Sequence, residues 1–171
     1  MNFAENLKAV QGLEPATDAA GRAGAYISLK NAHKVAVVVH ITQGNAATVA
    51  ISINQASTIA AGDAKALANV VPIWANEDCA ASDALVRQTD AVSFTTSAAV
   101  KHKIIIFEIE ASKLDLAGGF DCIAVVTGAS NVANITSAMY YLVPHRYQQS
   151  TPPSAVAVSY THLTLPTKRI V

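Results

Sequence analysis

Glu108 and Glu110 are the residues of this 171-residue chain whose type points most directly to catalysis. Two carboxyl groups flanking one bond are the acid and base of glycoside hydrolysis. These two stand at i and i+2 of a strand-like run with no partner acid evident, so the preferred reading is a solvated strand end. Glu77 and Asp78 invite a metal, but two adjacent carboxylates without an Asp-x-Asp-x-Asp-Gly loop read better as a solvated turn. His33, His40, His102 and His145 form neither His-Glu-x-x-His nor His-x-His, and their convergence in space stays open. Cys79 and Cys122 have no second pair with which to make a zinc or redox motif and read as reduced thiols; Cys122, among apolar neighbours, is expected to be buried. Gly118-Gly119 is followed by Phe-Asp with no Gly-Lys-Ser/Thr, so it is a tight turn and not a phosphate loop. A Gly-x-Ser-x-Gly elbow is absent, and the sequon at Asn134, lacking a secretory signal before it, reads as chance. The expectation is no catalytic, cofactor-binding or metal residues.

The elements that position these side chains read as β-strands. In 34–42, Val35, Val37, Val39 and Ile41 share one parity, while Lys34, His40 and Thr42 share the other, the period of a half-buried strand with its odd face inward. In 47–55, Val49, Ile51 and Ile53 alternate with Thr48, Ser52 and Asn54. Gln43-Gly44-Asn45-Ala46 between them predicts a hairpin. Shorter strands are expected at 26–29, 67–75, 85–88 and 91–95, with Pro72 marking an edge or bulge and Trp74 a packing residue.

The stretch 103–147 reads as three strands. Ile105, Phe107 and Ile109 lie on one face and Ile104 and Ile106 on the other, so the first of these strands is expected to be covered on both faces at its start. One helical turn at most fits 111–116, and strands follow at 120–127 and 138–143. Short, turn-separated strands without a convincing amphipathic helix predict an all-β fold, an antiparallel β-sandwich of jelly-roll or immunoglobulin-like type. The expected organisation is an irregular or mobile N-terminal arm over 1–25, a sandwich over 26–147, a C-terminal arm over 148–157 that contains Pro152-Pro153, and a tail over 158–171.

Twelve basic against twelve acidic residues, with only 14% charged, leave no electrostatic footprint for nucleic acid or an anionic membrane. The longest apolar runs are too short for a membrane helix, and MNFAENLKAV lacks the pattern of a secretory signal. A protein made and kept in a cytoplasm is expected. One codon choice for 158–167, VSYTHLTLPT, resembles the transposase mosaic end and adapter of shotgun sequencing libraries, which sets that tail apart from the fold.

The order of SLKNAHKVAVVVHITQGNAATVAI (28–51), VPIWANEDCAASDALVRQTDAVSFTT (71–96), the segment 103–115 and GGFDCIAVVTGASNVANITSAMYYLVPHRYQQSTPPSA (118–155) resembles a family of small proteins of tailed bacteriophages, encoded among virion structural genes. The resemblance implies a non-enzymatic virion component, a head decoration or minor capsid protein first, made in the host bacterial cytoplasm and oligomeric in the particle. Its partners would be capsid or other virion subunits, with no cofactor, nucleic acid or membrane. Arg146 and Tyr147, ending the last strand, are the candidate assembly contacts. The alternative from another class is a carbohydrate-binding or tail-associated module using Trp74, Tyr140 and Tyr141, and a third is a small hydrolase assembled from the scattered histidines and acids.

Overall fold

The structure is a computed structural model that describes residues 6–144. In chain order its strands are β1 (Lys8–Thr17), β2 (Arg22–Ala23), β3 (Ile27–Ser28), β4 (Ala32–Gln43), β5 (Ala50–Ala56), β6 (Lys65–Ala66), β7 (Ile73–Asn76), β8 (Val86–Arg87), β9 (Ser93–Thr95), β10 (His102–Glu110), β11 (Cys122–Thr127) and β12 (Asn134–Pro144), with a 3-10 turn at Ala111–Lys113 after β10. They form two antiparallel sheets: β1-β12-β4-β10-β7-β8, and β2-β11-β5-β6 with β3 also on β11 and β9 also on β5. The fold is an all-β sandwich, as the strand pattern predicts.

Alternation decides which faces meet. Val35, Val37, Val39 and Ile41 of β4, Ile51 and Ile53 of β5, and Ile105, Phe107 and Ile109 of β10 are fully buried between the sheets. Apolar surface removed from water at about 25 cal/mol per Å² is the main force holding the layers together. Pro72 lies just before β7, beside the short edge strand β8, and its carbonyl accepts the Glu108 N–H at 3.0 Å.

Three expectations are corrected. The predicted hairpin of 34–42 with 47–55 does not form: β4 pairs with β12 and β10, whereas β5 lies in the opposite sheet against β11. Both strands turn apolar faces to one interior, and alternation specifies that face without specifying the hydrogen-bonded neighbour. The connection is pinned by side chains: Asn134 Oδ1 accepts the Asn45 N–H at 2.9 Å, and Asn134 Nδ2 and Gln43 Nε2 donate to the Ala47 carbonyl at 2.8 and 3.2 Å.

Second, residues 8–17 of the expected irregular N-terminal arm are β1, an edge strand on β12. A buried ionic cluster then anchors the turn over 18–22. Asp18 is fully buried, accepts from the hydroxyls of Thr127 (3.1 Å) and Thr136, and pairs with Arg22 at 3.2 Å. Arg22 also donates to the carbonyls of Glu14, Ala16 and Thr136. The threonines come from β11 and β12, more than a hundred positions away, which is why local composition reads as loop.

Third, Ile104 and Ile106 are only half-buried, because the sheet carrying β10 has a second layer on one side only among the described residues.

Tyr140 ties the layers together. Its ring is buried, and its hydroxyl accepts the Val125 N–H of the opposite sheet at 2.9 Å. That N–H faces the gap between the short strands β2 and β3, where no ladder partner exists. Gly12 makes room for the ring, since a Cβ there would sit 2.7 Å from it.

Candidate functional site

The feature with the form of a binding site is the outer face of the β1-to-β8 sheet. Registers place Met139, Val38, Ile106 and Trp74 side by side on four adjacent strands, with Tyr141 and Ala36 in the next row. All six are half-buried. Exposed Ile135 and Val143 extend the band along β12. Lys34 and Glu108 border it as an ion pair at 2.8 Å, each about one-third exposed, so Glu108 is a paired surface charge. An alternating strand normally places polar groups outward; here the second parity also carries Ile104 and Ile106 in β10 and Ile135, Met139, Tyr141 and Val143 in β12.

The sheet edges offer less. β1 is broken by register shifts between Gln11 and Leu13 and between Leu13 and Ala16, and it carries Pro15. β8 has two residues, and the free edges of the other sheet are strands of two or three. Bulges, proline and shortness are the devices that keep an edge from pairing with another chain.

The aromatic residues do not make one platform. Tyr140 is inside the core, while Trp74 and Tyr141 share the outer face three strands and one two-residue step apart, about 16 Å. That is too far to share one sugar ring. Arg87 lies over the Trp74 ring at 5.6 Å and pairs with Asp90, so one ring face is occupied by a guanidinium.

A cleft of about 390 Å³ opens where the β3–β4 turn meets the 3-10 turn, lined by Leu29, Ala32, Leu114 and Leu116 and by His33, Glu110, Ser112 and Asp121. It brings together a histidine, two acids and a serine that lie far apart in sequence. The Ser112 hydroxyl donates to Glu110 at 3.4 Å, and Asp121 pairs with Lys30 at 3.1 Å. His40 and His102 stack near one end of the outer face, centroids 6.4 Å apart and planes 6° from parallel. They are diagonal neighbours on β4 and β10, a meeting that only the strand register reveals.

Glu77 accepts the Ser97 N–H at 2.7 Å, and Asp78 pairs with Lys101 at 3.0 Å, which holds its carboxyl below the ordinary range. Among the described residues no three His, Cys, Asp or Glu stand close enough to hold a metal ion. Cys122 is buried, and desolvation first, then Asp121, pushes its thiol up to about 12, making it unreactive at neutral pH. Asn134 is buried with its amide bonded to Asn45, Ala47 and Ser130, so it is closed to glycosylation. His145, Arg146, Tyr147, the C-terminal arm and the tail lie outside the described residues.

The sequence reading missed Lys103. It shares the inward parity of Ile105, Phe107 and Ile109, and that parity was the available signal. Its side chain is fully buried and its Nζ donates to Ser97, at 2.7 Å to the carbonyl and 2.9 Å to the hydroxyl oxygen.

No protein-family model matches this chain. A search of curated proteins finds no match. Among solved structures, the crystal structure of the SPBc2 prophage-derived protein YomS is similar over 80% of this chain and 93% of that one, at 10% sequence identity and a TM-score of 0.46.

Proposed function

We propose that this chain is a structural subunit of a tailed-phage particle, placed on the head shell as a decoration or minor capsid protein. The observation that carries the reading is the uncovered apolar band on the outer face of the large sheet, combined with edges guarded against strand pairing. A chain that presents Met139, Val38, Ile106 and Trp74 together buries them against another subunit, and symmetry-related copies add avidity without further contacts. The resemblance of 28–51, 71–96, 103–115 and 118–155 to virion proteins suggests the particle; the apolar face supplies a means of attachment.

The test has two arms. Purified particles from the host are digested and searched by mass spectrometry for peptides of this chain. In parallel the recombinant protein is added to undecorated shells, alongside an Ile106→Glu variant whose fold is checked by circular dichroism. The expected results are peptides in the particle and shell binding that the variant loses. A strictly monomeric protein absent from particles would sink the proposal.

A further inference from the structure

We propose that Ser97 is a nucleophile activated by Lys103 and that it accepts an acyl group covalently from an ester or thioester donor. The two side chains meet at one end of the sandwich. Ser97 begins an exposed run that includes Ala98, Ala99 and Val100, whereas Lys103, on the inward face of β10, is fully buried. Its Nζ stands 2.9 Å from Ser97 Oγ, within reach for proton transfer. An accessible hydroxyl is thus hydrogen-bonded to a desolvated amine, the relation on which serine–lysine nucleophiles depend.

Surrounding contacts fix the serine. Glu77 accepts its N–H at 2.7 Å, and Gln43 Nε2 donates to its carbonyl at 2.9 Å. Gln43 is held in turn by the buried Thr96 hydroxyl at 2.9 Å. Among the described residues no carboxylate forms an ion pair with Lys103. Burial lowers its pKa, and the Glu77 charge only partly opposes this. Nζ donates to both the Ser97 carbonyl and Oγ; the neutral form that acts as base keeps the first contact and accepts from Oγ–H at the second.

The reaction balances without a cofactor. Nζ takes the hydroxyl proton as Oγ bonds the acyl carbon. The C–S or C–O bond of the donor breaks, and the leaving thiolate or alkoxide takes the proton from Nζ. Lysine returns to its neutral form, and acyl-serine and a thiol or alcohol are the products. Because the Ser97 N–H is engaged by Glu77, it is not free to stabilise an oxyanion. The expected chemistry is one acylation per chain with slow hydrolysis, a covalent attachment site and not a rapidly turning hydrolase. This chemistry is independent of the virion reading.

The full chain is incubated with p-nitrophenyl acetate or an acetyl thioester, and the adduct is located by peptide mass spectrometry. Wild type should gain one acetyl group at Ser97, at a rate that rises with pH and levels off below the range of an ordinary lysine. Lys103→Arg keeps the hydrogen-bond donors but removes the base; it should react roughly 100-fold more slowly with an unchanged circular dichroism spectrum. Lys103→Met provides a second variant should the arginine not fit, with the same expected loss. The proposal is overturned if Ser97 is labelled no faster than exposed Ser93, or if a folded Lys103 variant reacts at the wild-type rate.

Discussion

Replacing Tyr140 with Phe removes one oxygen from the middle of the sandwich while keeping the ring that fills the core. In the native chain that oxygen accepts the Val125 N–H at 2.9 Å, and the ring is wholly buried, so water does not replace the lost acceptor. A buried amide left unpaired costs about 1–3 kcal/mol. A loss of about 2 kcal/mol corresponds to a fall of about 4–8 °C in melting temperature for a domain of this size. Urea unfolding followed through Trp74, the sole tryptophan, gives the free energy, and amide exchange localises it. The Val125 amide should lose more protection than other β11 amides. Gly12→Ala provides a coupled test, because the new Cβ would lie 2.7 Å from the Tyr140 ring: the methyl should cost about 1–3 kcal/mol, and most of that should vanish in a Tyr140→Leu background. Stability within about 0.5 kcal/mol of wild type for Tyr140→Phe, with Val125 still protected, would refute the inter-sheet role of the hydroxyl.

Asp18→Ala should be among the most damaging single changes, about 3 kcal/mol or more by urea unfolding, because it strands Arg22 and the Thr136 and Thr127 hydroxyls. Burial depresses the folded-state pKa of Lys103 below 10.5; its contribution is therefore favourable above 10.5 and is lost as pH falls through the folded pKa. The stability of wild type relative to Lys103→Met should accordingly improve as pH is raised toward 10.5. Asp115 is an acid held in its charged form: Lys65 first, then the Gly118 N–H, keeps its pKa below 3.8, so its contribution is present above 3.8 and disappears as pH falls through the folded value. Acid unfolding of Lys65→Met should show a smaller pH dependence in that window than wild type.

The sequence by itself determined the layers. Period-two alternation is a local property, and it correctly named the inward residues of β4 and β5 and the all-β sandwich, whereas in β10 it marked Ile104 and Ile106 for burial together with Ile105, Phe107 and Ile109. It also identified Cys122 as a buried thiol, Gly118-Gly119 as a turn and Glu108 as a surface charge. Strand partnership was decided only by tertiary structure, because backbone hydrogen bonds carry no side-chain signature: β4 and β5, adjacent in sequence and each apolar on one face, went to opposite sheets. The N-terminal strand was illegible for a related reason. Its stability comes from β12 and from Thr127 and Thr136 around Asp18, so a run rich in Gly and Ala gives no local sign of it. The apolar outer face needed the register of four strands before single residues such as Val38 and Met139 became a surface. Ser97 and Lys103, six positions apart across a turn, became a pair only when β10 sent the lysine inward and left the serine in water.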